Sequence, residues 1–269
     1  TDLSEMWIVR HCYEKKAEKF VRLHGKMNFG QGGATHDVID AIREYGIVPE
    51  EVYPGLNYGK EKHDHYELDE ALAAYLKSII ENKTLSPVWK DGFNAILDVY
   101  LGPVPETFVY EGKEYTPKSY AESLPINLDD YVSFTSFTHH PFYTTFAIEV
   151  PDNWAWGESY NIPLEEFMQL FDASLDAGHS VYWATDISEP GFSRVKAIGI
   201  IPTVDLESLE GTEAERWGKM TEAERKAAMY SFDKPGQELA IDQQMRQVAY
   251  DKYETTDDHG MLIVGRAVD

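Results

Sequence analysis

Over residues 3–23 the apolar positions are Leu3, Met6, Ile8, Val9, Tyr13, Ala17, Phe20 and Val21, with charged residues between them. Residues three and four apart share one side of a helix, so this spacing predicts an amphipathic helix. Gly30-Gln31-Gly32-Gly33 breaks the pattern. It resumes from Thr35 to Tyr45 with Val38, Ile39, Ala41 and Ile42, and stops at Gly46, where a helix C-terminus favours glycine. Residues 69–80 predict another amphipathic helix. Between 55 and 130 the chain is polar, with turn signals at Gly102-Pro103 and Glu111-Gly112-Lys113. Trp89, Phe93, Ile96, Leu97 and Tyr100 give that stretch apolar anchors, so it reads as a helical insertion with irregular connections.

The period changes in the second half. Residues 143–150 are rich in β-branched and aromatic side chains, with Phe146, Ile148 and Val150 on one face of a strand. Leu164, Phe167, Met168, Leu170, Phe171 and Leu175 return to helical spacing, which ends at Gly178. Residues 180–187, 195–201 and 261–264 predict strands. Thr212/Glu215 and Thr221/Glu224 have capping-box spacing and mark a charged helical stretch over 212–230. Helices first and antiparallel strands later make the fold class α+β. The expected division is a helical part at 1–55, a mainly helical insertion at 56–140, and a β-rich part at 141–269 interrupted by a helical insertion near 205–247.

A net charge of −23 over 269 residues repels phosphate backbones and anionic lipid headgroups, which disfavours nucleic acid and membranes as partners. It keeps the protein soluble, and it also suits a substrate that carries a free amine. No apolar run approaches the ~20 residues of a membrane span. Cys12 is the one cysteine, so there is no internal disulfide framework. Phosphate-binding loops, a dinucleotide fingerprint, the G-x-S-x-G elbow and H-E-x-x-H are all missing. His63/His65 and His139/His140 are the close histidine pairs. A metal site on either would need further converging ligands, and the favoured expectation is surface or core histidines with no metal. Glu165-Glu166 and Asp129-Asp130 suit solvated faces and helix N-termini.

One segment stands apart: Asp257-Asp258-His259-Gly260-Met261-Leu262-Ile263-Val264-Gly265. It puts a histidine and a small residue on the lip of an apolar strand. This segment resembles the histidine strand of papain-superfamily cysteine peptidases. Leu3-Ser4-Glu5 resembles the triplet that follows their nucleophile helix. Gly32-Gly33, Tyr45-Gly46-Ile47, Glu51 and Tyr53-Pro54 resemble their Gly-Gly block, and residues 164–181 the helix and strand before the histidine. Tyr58-Gly59, Thr138-His139-His140-Pro141-Phe142 and Thr255-Thr256 resemble the bacterial bleomycin hydrolase/aminopeptidase C branch.

The resemblance implies a papain-like fold with a helical left part and an antiparallel β right part. It implies hydrolysis of peptide or aminoacyl amide bonds by Cys-His-Asn acyl transfer. His259 matches the acid/base position, Gly32 and Gly33 the turn that pairs with extended substrate, and Asp258 the cleft edge beside the histidine. It further implies a peptide substrate, a homo-hexamer, no cofactor and a cytoplasmic location, or a periplasmic or secreted one if a signal peptide has been lost. The nucleophile belongs upstream of Leu3 and the asparagine segment downstream of His259, so both are expected outside this chain. Cys12 lies inside a helical pattern and lacks the following Trp, so it does not match the nucleophile. The alternative is a catalytically inactive peptide-binding or assembly protein on the same fold.

Overall fold

A computed structural model describes residues 2–204, 211–232, 236–256 and 259–266, residues 213 and 214 by backbone alone. The chain forms two compact units, Thr1–Phe134 with Thr145–Tyr160, and Thr135–Thr144 with Asn161–Asp269.

The first unit begins with α1 (Glu5–Arg22), α2 (Thr35–Tyr45), α3 (Tyr66–Ile80) and α4 (Trp89–Leu101). Ser4 starts α1. Its hydroxyl oxygen accepts the Trp7 N–H at 2.9 Å and donates to Tyr53 O at 2.5 Å, so the Leu-Ser-Glu landmark is a buried helix cap. The Trp7 indole donates to Gly46 O at 2.9 Å, which ties α1 to the end of α2. Gly46 has φ +77°, and a Cβ there would collide with the Pro117 backbone, so glycine is required on both counts. Leu68, Leu72 and Leu76 of α3 and Phe93, Leu97 and Leu101 of α4 repeat every four residues and are essentially fully buried. These two stripes, with Met6, Trp7, Ile8, Ala17 and Val21 of α1, make the core of the unit.

β1 (Phe108–Tyr110) and β2 (Lys113–Tyr115) then form a hairpin that the sequence pattern showed only as a turn. Its strands are three residues each, too short for a periodic signal. The turn residues Glu111 and Gly112 both have positive φ, as a two-residue hairpin loop demands. α5 (Pro117–Ser123) follows, capped by Thr116. β3 (Phe134–Thr135), β4 (Thr145–Ala147) and β5 (Glu158–Asn161) form a sheet in the order β3-β5-β4, and the unit boundaries fall inside β3 and β5. Of the strand expected over 143–150 only Thr145–Ala147 forms, because Tyr143 turns at φ +63°, and Phe146 is its buried side chain.

The second unit contains α6 (Leu164–Asp176), β6 (Val181–Thr185), β7 (Phe192–Ser193), β8 (Ile198–Gly199) and β9 (Pro202–Thr203). It continues with α7 (Gly211–Lys219), α8 (Glu222–Met229), β10 (Gln237–Glu238), α9 (Gln243–Asp251) and β11 (His259–Ile263). β6 pairs with β11 antiparallel, from Val181 opposite Ile263 to Thr185 opposite His259. Of the strand expected over 195–201 only Ile198 and Gly199 form one, as β8, and residues 194–197 are the turn that joins it to β7. Ala197 sits at φ +53° and the Ser193 hydroxyl accepts the Lys196 N–H, so the chain reverses where the pattern read straight on. Thr221 and Glu224 form the predicted capping box of α8. Thr212 is the second described residue of α7. α9, capped by Asp242, is a helix whose polar composition hid it in sequence. The architecture is α+β. No helix among the described residues is long and apolar enough to cross a membrane.

Candidate functional site

Gly32 and Gly33 lie on the loop between α1 and α2, and three buried side chains shape it. Lys16 reaches out of α1 and donates to Gly30 O at 2.9 Å and Gly32 O at 2.7 Å. Burial pushes the Lys16 ammonium pKa down, against the opposing pull of the Asp152 and Asp37 carboxylates. Asp37, in the first turn of α2, accepts the Ala34 N–H at 2.9 Å and the Trp154 indole N–H at 2.8 Å. Burial raises the Asp37 pKa despite these donors. Gly32 has φ +95°, and a Cβ there would stand 2.5 Å from Asp152 Oδ2. A Cβ on Gly33 would stand 2.7 Å from Asp37 Oδ2. Both glycines are therefore set by carboxylates packed directly against the backbone. The sequence pattern missed Lys16 and Asp37, because a charge within an amphipathic helix ordinarily marks the solvated face, and Asp152 and Trp154, because they lie in an irregular turn with no periodic signal.

A cavity of about 220 Å³ adjoins this loop, lined among others by Cys12, Lys15, Lys19, Asp37 and Trp154. Burial first, and then the Asp37 charge, push the Cys12 thiol up to about 12. A thiol with that pKa is protonated at neutral pH, so Cys12 has the chemistry of a packing residue.

His259 is the first residue of β11, opposite Thr185, and is exposed. The Tyr182 side chain covers Gly260, where any Cβ would run into its hydroxyl. A larger residue directly after the histidine would have to displace that cross-strand ring. Asp258 lies outside the described residues. Asp186, which follows β6, accepts hydrogen bonds from the Ser188 N–H and hydroxyl, the Glu189 N–H, and the Thr256 N–H and hydroxyl. Burial alone would raise its pKa, but these donors outweigh it and hold the carboxyl below the ordinary range.

Elsewhere in the second unit, fully buried Asn161 donates to Phe137 O at 2.8 Å and His140 O at 3.0 Å and accepts the Phe137 N–H at 2.9 Å. It fixes the segment that carries His139 and His140. The His139 ring meets the Gln247 amide at 3.1 Å and stacks on Tyr250. His63 and His65 lie in the first unit with ring centroids 5.2 Å apart, and burial, with the neighbouring His63, lowers the His65 pKa. The sequence-predicted site residues thus fall in both units: Gly32 and Gly33 in the first, His259 in the second.

Over 180 residues the chain is 27% identical to aminopeptidase G of Lactobacillus delbrueckii subsp. lactis, covering 58% of this chain and 41% of the relative. Over 184 residues it is 28% identical to aminopeptidase C of Lactococcus lactis subsp. cremoris, covering 59% and 42%. It resembles bacterial aminopeptidases. The matched region is under half the length of these curated relatives. No protein-family profile matches the chain. The fold is similar to the selenomethionine crystal structure of PepW from Lactobacillus rhamnosis HN001 (DR20), with a TM-score of 0.62 at 18% identity. That likeness covers 99% of this chain and 63% of the other.

Proposed function

We propose that this chain is part of a papain-like thiol aminopeptidase that hydrolyses peptide or aminoacyl amide bonds. The observation that carries the proposal is the similarity to aminopeptidases G and C over 180 and 184 residues. In this assignment residues 1–55 are the left part, 56–140 an insertion, and 141–269 the right part. A cysteine thiolate outside this chain attacks the substrate carbonyl, and an asparagine, also outside it, orients the imidazole. His259 takes the thiol proton and later delivers it to the leaving amine.

The exposed place of His259 at the start of a paired strand supports that role. The Gly32-Gly33 backbone pairs with extended substrate, glycine permitting the close approach. Its shaping by Lys16 and Asp37 supports a loop of fixed conformation. The same assignment gives Asp258, which lies outside the described residues, a substrate-binding role. A peptide substrate, a homo-hexameric assembly and a cytoplasmic location belong to the same proposal.

The test uses the full open reading frame, assayed on aminoacyl amides. Activity should be abolished by iodoacetamide and lowered by about 10²–10⁴-fold by His259→Ala. Activity that survives His259→Ala would overturn the role given to this residue. A full-length protein that binds peptides without cleaving them, with no cysteine upstream, would identify the inactive relative instead.

A further inference from the structure

We infer that Asp186 is a positioning residue for His259, tying Thr256 to the end of β6; this rests on the peptidase assignment above.

Asp186 directly follows Thr185, the register partner of His259. Only 9% of its surface is exposed, and its carboxylate accepts five hydrogen bonds. An ionised carboxylate offers about four lone-pair directions, so this one is saturated. Its two oxygens divide the work. Oδ1 takes the Ser188 N–H, the Ser188 hydroxyl and the Glu189 N–H, which shapes the turn after β6. That turn needs no second oxygen. Oδ2 instead accepts the Thr256 N–H at 2.8 Å and the Thr256 hydroxyl at 3.1 Å, from a residue 70 positions further along the chain.

Thr256 is three residues before His259 in sequence, and His259 is the outermost pair of the β6–β11 ladder. Terminal pairs of a ladder open most easily, and a histidine there keeps a fixed position only if the chain before it is anchored. Asp186 supplies that anchor at Thr256. On the other side, the strand after His259 is paired with β6 through Ile263. Thr256 before the histidine is thus tied down by a group that does not itself react, and the β6–β11 pairing holds the strand after it.

The experiment compares the full-length enzyme with Asp186→Asn, Thr256→Val and His259→Ala. Asparagine keeps the shape of Asp186 but turns one acceptor into a donor facing donors. With thiol titration correcting for the active fraction, Asp186→Asn should lower kcat by about 10–100-fold, as expected for a reacting group misplaced by about an ångström. KM should stay within about twofold, because the substrate loop is elsewhere in the chain. The alkylation rate of the nucleophile should also lose its low-pH component, which reports the thiolate–imidazolium pair. Thr256→Val removes one hydroxyl donor and should show the same pattern more weakly, including if Asp186→Asn does not fold. Wild-type kcat and low-pH alkylation in folded variants would overturn the clamp while leaving the peptidase assignment standing. An inert wild-type enzyme would remove the peptidase assignment, and the positioning role with it.

Discussion

The Trp154 indole N–H donates to Asp37 Oδ2 at 2.8 Å, both side chains buried, directly behind Gly33. This bond fastens a residue from the 145–160 segment to the first turn of α2, inside one compact unit. Trp154→Phe keeps an aromatic ring but leaves Asp37 Oδ2 with the Ala34 N–H alone. Losing one of two hydrogen bonds to a buried acceptor destabilises by about 0.5–1.5 kcal/mol. The urea midpoint should fall accordingly, and an unchanged midpoint would mean that the bond contributes nothing net.

Gly32→Ala tests the loop itself. The substitution meets a positive φ and a carboxylate 2.5 Å from the new methyl group. Strain of this kind costs about 1–3 kcal/mol unless the loop moves. The expected result is a lower melting temperature together with a raised KM in the full-length enzyme. A variant with both values at wild type would show that the loop conformation is not imposed by Asp152 and Lys16.

The stability that Asp186 confers should depend on pH in a defined direction. Its carboxyl pKa is lowered in the folded state by the Ser188 and Thr256 donors, which outweigh burial. The contribution is therefore fully present above the unfolded value of about 3.9 and is lost as pH falls through the folded one. The stability difference between wild type and Asp186→Asn, from urea titrations of the chain, should be constant from pH 7 to 5 and shrink below pH 4. A difference that persists unchanged at pH 2 would place the effect in packing, not charge.

Local chemistry left a clear record in the sequence. The helix over 69–80, the anchors Phe93 and Leu97, the stop at Gly46 and the Thr221–Glu224 box were each read from spacing, because a helix brings residues three or four apart together whatever surrounds it. The β6 and β11 strands were visible as apolar runs, and His259 as the polar residue at the lip of one. The hairpin at Phe108–Tyr115 and the reversal at Ala197 were not, since two- and three-residue strands carry no period.

By itself, the sequence determined the α+β class, the long helices, the strand that bears His259, and a likeness to aminopeptidases at 27–28% identity. Only tertiary structure decided what surrounds the singled-out residues. Lys16 looked like one charge among several on α1, yet it is buried and holds two loop carbonyls. Asp186 was one position within the strand expected over 180–187, yet it binds Thr256 from 70 positions away. Helical and strand periodicities are set by neighbours along the chain, whereas burial and the partners of a charged group are set by residues that only the fold brings near.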